Sequence, residues 1–175
     1  MRLGFVALLC SWLFATGAHA RNIEPGSSWL SGGLGAGFKA GSNLGGSAGY
    51  FLLTGQYEYV LRTQWSVVGD ATLGNLGLWG TNPLRLRAGA RYRLADLQLP
   101  VSPYAQLQLS WGRLFNALGA TLTTWGGRLA IGADYFLTAT LLVGAQIGYE
   151  VLATTGPRPV GYSQIDFLAL AGISF

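Results

Sequence analysis

From residue 29 to the end, the chain alternates apolar and polar side chains with a period of two, and no stretch carries a convincing helical stripe. Eight segments stand out. In Trp29 to Phe38, Leu30, Leu34, Ala36 and Phe38 share one face. In Tyr50 to Tyr59, Phe51, Leu53, Tyr57 and Tyr59 oppose Tyr50, Thr54, Gln56 and Glu58. In the third, Trp65, Val67, Ala71 and Leu73 oppose Gln64, Ser66, Asp70 and Thr72. The fourth is the cleanest: Leu84, Leu86, Ala88, Ala90, Tyr92 and Leu94 alternate with Arg85, Arg87, Gly89, Arg91 and Arg93. The fifth sets Ala105, Leu107, Leu109 and Trp111 against Tyr104, Gln106, Gln108 and Ser110. The sixth sets Trp125, Leu129, Ile131, Ala133 and Tyr135 against Arg128, Gly132 and Asp134. The seventh places Leu141, Val143, Ala145, Ile147 and Tyr149 opposite Gly144, Gln146, Gly148 and Glu150. The eighth runs Ile165, Phe167, Ala169, Ala171, Ile173, Phe175 on one side and Gln164, Asp166, Gly172, Ser174 on the other, where Leu168 and Leu170 break the polar face.

The pattern predicts an all-β protein of eight strands, each about ten to twelve residues long, the reach of a tilted strand across a hydrocarbon layer. The links alternate in length. Those near Val60–Thr63 and Leu137–Thr140 are tight and Ala95–Val101 is moderate. Lys39–Gly49, Gly74–Pro83, Gly112–Thr124 and Leu152–Gly161 are longer and rich in Gly, Asn and Thr. If the first strand runs up and the second down, outward Tyr57, Tyr59, Trp65, Tyr92, Tyr135 and Phe175 all fall at one end. Phe38, Phe51, Trp111, Trp125 and Tyr149 fall at the other. Two aromatic girdles are what the two headgroup levels of a bilayer select.

Composition narrows the choice further. Half of the 175 residues are hydrophobic and 10% are charged, against about 25% charge in ordinary soluble domains. Yet no run after residue 20 approaches the ~20 apolar residues of a membrane helix. Residues 1–20 read as a secretory signal: Arg2, an apolar stretch from Leu3 to Phe14, and the small-x-small Ala18-His19-Ala20 before the expected cut. The expected organisation is thus a signal peptide over 1–20, a short periplasmic segment over 21–28 and a barrel over 29–175. Loss of the signal removes Cys10 and His19, the single cysteine and single histidine, and leaves a net charge of +3. No thiol, disulfide or Cys/His metal site then remains, and no cofactor is expected. A basic pI suggests nucleic acid only where cations are exposed, and here they alternate inward, so no nucleic-acid partner is expected.

The closing segment, ending on Phe175 with Ile173, Ala171, Ala169 and Phe167 at alternate positions, resembles the C-terminal assembly signature of outer-membrane barrels. The layout as a whole resembles the small eight-stranded barrels of the OmpX and OmpA-membrane-domain type. The resemblance implies an eight-stranded antiparallel up-and-down transmembrane β-barrel in a bacterial outer membrane. It also implies outer-membrane lipids, periplasmic chaperones and the barrel-assembly machinery as partners, with Phe175 and Ile173 as the assembly signal. It carries over no ligand or surface partner.

Candidate chemistry is sparse. Gly45-Gly46-Ser47-Ala48-Gly49 matches a G-x-S-x-G elbow, but that motif needs a following helix and a histidine; a Ser47–Lys39 pair is a formal alternative. Barrel hydrolases and acyltransferases of similar architecture generally use a histidine, which the mature chain lacks, so no enzyme and no catalytic residue are expected. Gly33, Gly35 and Gly37 fail the spacing of a dinucleotide fingerprint and are expected to make room for arginines. The one constellation of substance is in the lumen: Arg85, Arg87, Arg91, Arg93 and Arg128 with Glu58, Asp70, Asp134, Glu150 and Asp166. By height, Arg85 and Arg87 should meet Asp70, Glu150 and Asp166, and Arg91 and Arg93 should meet Glu58 and Asp134. Charges enclosed by eight strands must pair. The expected result is a bonded plug, in a protein acting in envelope integrity or through its outer loops; the alternatives are a narrow ion or solute channel, a lipid-modifying enzyme and a lipocalin-like carrier. Trp79, Leu114 and Phe115, with Leu76, Leu78, Asn116 and Leu118, are the candidate loop contacts for a partner or lipid; the alternative, which the pattern favours, is that they pack over the barrel mouth.

Overall fold

In the computed structural model, which describes residues 23–42, 49–74, 82–94, 101–115, 121–155 and 159–175, each alternating segment is a strand. These are β1 (Ser28–Ser42), β2 (Gly49–Arg62), β3 (Trp65–Gly74), β4 (Asn82–Arg93), β5 (Val101–Phe115), β6 (Thr121–Phe136), β7 (Leu141–Thr154) and β8 (Gly161–Ser174). Each strand pairs antiparallel with the next, and β1 closes on β8 from Trp29↔Ser174 to Lys39↔Gln164. Closure leaves no strand edge unpaired, the condition for crossing a medium that offers no hydrogen bonds.

Burial is inverted relative to a water-soluble domain. Leu109 is 78% exposed on the outer face and Ile131 59%, while the lumenal Arg85, Arg93 and Arg128 are 1–2% exposed. Only a surrounding apolar solvent makes that distribution favourable. The outward aromatics pair across strands at both ends: Trp65 on Tyr92 (4.9 Å between ring centroids) at the end holding both termini, and Trp111 on Trp125 (6.4 Å) at the far end.

Several strands run further than the alternation predicts. β5 reaches Phe115 and β6 begins at Thr121: β5 pairs with β4 from Arg93↔Tyr104 to Asn82↔Phe115 and with β6 from Val101↔Tyr135 to Phe115↔Thr121. Hairpin pairing has no reason to stop where the hydrocarbon stops, so segments with loop-like composition still form ladder. Leu114 and Phe115 are therefore strand residues and not loop residues. The tight curvature of so small a barrel requires close backbone approach at inward glycines. A Cβ on Gly89 would meet the Leu107 carbonyl oxygen and lie 2.6 Å from Gln108 Cα.

Candidate functional site: the charged lumen

β4 turns its arginines inward because its leucines and alanines occupy the alternate, lipid-facing positions; one residue of slip would expose all four cations. Their partners come from other strands, and the charges fall into two linked clusters.

Nearer the termini, Glu58 on β2 accepts from Arg91 Nη1 (2.8 Å), from both Arg93 Nη atoms (Nη2 at 2.8 Å) and from the Ser66 hydroxyl. Asp134 on β6 accepts from Arg93 Nη2 (2.8 Å) and lies 3.5 Å from Arg91 Nη1. Arg91 Nε donates to Gln106 Oε1 (2.9 Å), and its guanidinium stacks 3.9 Å from the centroid of the Tyr104 ring.

Toward the far end, Glu150 on β7 takes a two-pronged bond from Arg87 Nε and Nη2 (3.0 and 3.2 Å), with Gln164 as a further donor and Arg85 Nε at 3.5 Å. Arg87 Nη1 also donates to Asp70 Oδ1 (3.0 Å) and Thr72 Oγ1 (3.1 Å). Arg128 forks onto both oxygens of Asp166, with Nε at 3.0 Å. Gln108 joins these pairs by donating to Asp70 (2.7 Å) and accepting from Arg128 (3.1 Å). Gln146 links the two clusters once its amide is turned so that oxygen meets donors: the oxygen then faces the Arg128 guanidinium (2.5 and 2.8 Å) and the nitrogen donates to Tyr104 Oη (3.2 Å).

All ten charged residues expected in the lumen are there, and each cation contacts a carboxylate. Asp166, grouped by height with Arg85 and Arg87, is bonded instead to Arg128. Arg87–Asp70 joins register neighbours, whereas Arg87–Glu150, Arg93–Asp134 and Arg128–Asp166 join strands that are not adjacent in the barrel. These bonds are cross-struts. Sequence reasoning did not single out the connectors Gln106, Gln108, Gln146, Gln164, Tyr50 and Tyr104. Their only signal was a polar or amphipathic side chain on the arginine face.

Apolar clusters lie at both ends of the network. At the terminus end Ile23, Trp29, Val60, Phe136 and Leu142 cluster, with Trp29 edge-on to Phe136 at 5.5 Å. At the far end Leu114, Leu152 and Tyr162 form one cluster, while Tyr50, Leu52, Leu168 and Leu170 form another that runs from the far end down into the middle of the lumen.

Two expectations need correction. Gly33, Gly35 and Gly37 do not make room for arginines: a Cβ at Gly33 would lie 2.5 Å from Leu170 Cδ2, at Gly35 2.7 Å from Leu168 Cδ2, and at Gly37 2.6 Å from the Tyr50 ring. The two leucines that break the polar face of β8 are thus seated over β1 glycines. Gly148 does accommodate an arginine, since its Cβ would meet the Arg128 guanidinium, and a Cβ on Gly112 would lie 3.2 Å from Arg85 Cγ. Leu114, a candidate contact, is not available as one: it is 8% exposed and packs inside the mouth, the alternative outcome for these residues. Phe115 faces outward, 37% exposed, and Ile173 and Phe175 are 53% and 74% exposed on the lipid side. The signal segment, Trp79, Leu76, Leu78, Asn116, Leu118 and Ser47 lie outside the described residues. Among the described residues no cluster of three or more His, Cys, Asp or Glu is placed to hold a metal.

The sequence matches the family described as "Outer membrane protein beta-barrel domain" over residues 6–170. Among solved structures, Neisserial surface protein A is similar at 23% identity and a TM-score of 0.72, over 85% of this chain and 97% of that one. OprG of Pseudomonas aeruginosa is similar at 15% identity and 0.61, over 87% and 97%. Ail, the attachment invasion locus protein of Yersinia pestis, is similar at 15% and 0.58, over 87% and 100%. No curated protein sequence matches the chain significantly. At these identities the structural likeness speaks for the fold.

Proposed function

The chain belongs to the outer membrane protein β-barrel domain family and resides in the bacterial outer membrane, and from that premise we propose that it is a non-enzymatic, non-conducting barrel serving envelope integrity and surface contact. The observation that carries the reading is the lumen: five arginines and five carboxylates held at 0–5% side-chain exposure by cross-strand bonds, between an apolar cluster at each end. An ion entering that space would have to break charge-assisted bonds that nothing along the path replaces. The same bonds argue against catalysis, because a general base must be within reach of solvent or substrate and each lumenal carboxylate is committed to arginine.

In this reading residues 1–20 are removed after Ala20, residues 21–28 and the C-terminus lie in the periplasm, and the far rim faces outward. Outward Phe175 and Ile173 are the side chains that the assembly machinery engages after periplasmic chaperones deliver the chain. Phe115 is the part of the outer rim, among the described candidates, that stays available to a partner.

The test is a deletion strain of the source bacterium. The reading expects greater uptake of hydrophobic dyes and sensitivity to detergent, both restored by the wild-type chain. An intact barrier combined with slower entry of a small solute would contradict it and favour a channel.

A further inference from the structure

Among the described strands, the outward face carries one charged side chain. Of the charged residues in the described strands, ten point into the lumen. Lys39 occupies a half-buried inward-facing position near the end of β1, and Arg62 sits at the β2–β3 turn. Arg113 alone among them stands on the outward face, exposed, on β5. Its surroundings are also unusual. Its register partner on β6 is Thr123, and Thr155, just past β7, bonds to the Thr123 carbonyl through its N–H (2.9 Å) and its hydroxyl (3.3 Å). The guanidinium lies 5.8 Å from the centroid of Trp111, which meets Trp125 edge-on at 6.4 Å.

A cation on the lipid face of a barrel is costly at mid-membrane and nearly free at the interface. The two tryptophans mark that interface, and Arg113 lies one outward position beyond them. Below it on the same face of β5 come Trp111, then Leu109 and Leu107, 78% and 66% exposed. Read down the strand, the order is guanidinium, indole, then bare leucine. That is the profile of an anionic amphiphile, with a phosphate for the guanidinium and acyl chains for the leucines. Guanidinium is the side chain best matched to phosphate oxygens, which it binds in pairs.

We propose that Arg113, backed by Trp111 and flanked by Thr123 and Thr155, binds the phosphate of a phosphorylated glycolipid of the outer leaflet, of the lipid A class. The assignment rests on the proposed orientation, with both termini in the periplasm and this end of β5 at the outer surface. An anionic phospholipid offers the same phosphate, so the two sources must be separated by measurement.

The experiment is native mass spectrometry of the barrel refolded in mild detergent and checked for its heat-dependent gel shift. Wild type, Arg113→Gln and Arg113→Lys are titrated with bisphosphorylated lipid A, dephosphorylated lipid A and phosphatidylglycerol. Wild type is expected to prefer bisphosphorylated over dephosphorylated lipid A by about tenfold, the scale of one charge-assisted contact. Arg113→Gln should lose that preference and Arg113→Lys keep part of it. Equal binding by wild type and Arg113→Gln, or no discrimination by wild type, overturns the site. Equal affinity for phosphatidylglycerol overturns the glycolipid assignment. A protein that gives no heat-shifted band would instead refute the membrane-barrel reading, before any lipid is added.

Discussion

Glu58 ties two arginines of β4 together, so its removal disturbs the lumen directly. It is 3% exposed and receives bonds from two arginines, Arg91 Nη1 and Arg93 Nη2 at 2.8 Å each and Arg93 Nη1 besides, together with the Ser66 hydroxyl. Glu58→Gln keeps the shape and one acceptor oxygen but leaves Arg91 and Arg93 sharing Asp134, at 3.5 and 2.8 Å. A hydrogen bond to a charged group contributes about 1.5–3 kcal/mol. Leaving a buried ion without its partner typically costs about 3–5 kcal/mol, and that is the destabilisation expected here. Adding Arg93→Gln restores neutrality, since Arg91 and Asp134 remain as a pair. The double variant should therefore be more stable than Glu58→Gln alone, by about 1–3 kcal/mol. Urea unfolding in lipid vesicles, followed by tryptophan fluorescence and by the folded band on unboiled gels, measures both values. A Glu58→Gln loss below about 1 kcal/mol, or a double variant no better than the single, would refute the view that these charges hold one another in place.

Two further outcomes follow from the backbone and the C-terminus. Gly89→Ala drives a methyl group onto the Leu107 carbonyl and should cost at least about 1–3 kcal/mol, while Gly69→Ala, whose Cβ meets only the Arg87 carbonyl at 3.7 Å, should stay within about 0.5 kcal/mol; the same unfolding assay compares them, and equal costs would contradict the close-approach argument. Phe175→Ala should slow insertion in cells, seen as chain accumulating in the periplasm, while leaving detergent refolding at the wild-type level. Loss of refolding in detergent would assign Phe175 to stability instead of recognition.

Alternation made the barrel legible because each strand has two environments of opposite polarity, lipid and charged lumen. In β4 every residue from Leu84 to Arg93 could be assigned a side from sequence alone. The grouping of charges by height was also legible, since height follows from position along a strand and strand direction alternates. Which carboxylate in a group meets which arginine was not. Arg128 takes Asp166 because Gly148, the register partner of Asp166 on the intervening β7, has no side chain to block the guanidinium as it reaches from β6 over β7 to β8, a relation set by register between strands and not by order within one. The seats of Leu168 and Leu170 were hidden for the same reason: register sets Gly35 against Leu168 and Gly33 against Leu170, and a single-strand pattern contains no register. The upper ends of β5 and β6 were missed because Gly112, Asn116 and Gly119 read as loop, while the ladder continues to Phe115↔Thr121.

If the lumen is closed by its own charges, planar-bilayer recording of the purified, heat-shifted wild-type protein gives a flat baseline across the working voltage range, with current steps arising only when Arg91 or Arg93 is cut back to alanine. Reproducible unitary steps from the wild-type barrel would contradict that closure and make the arginine ladder the wall of an ion path.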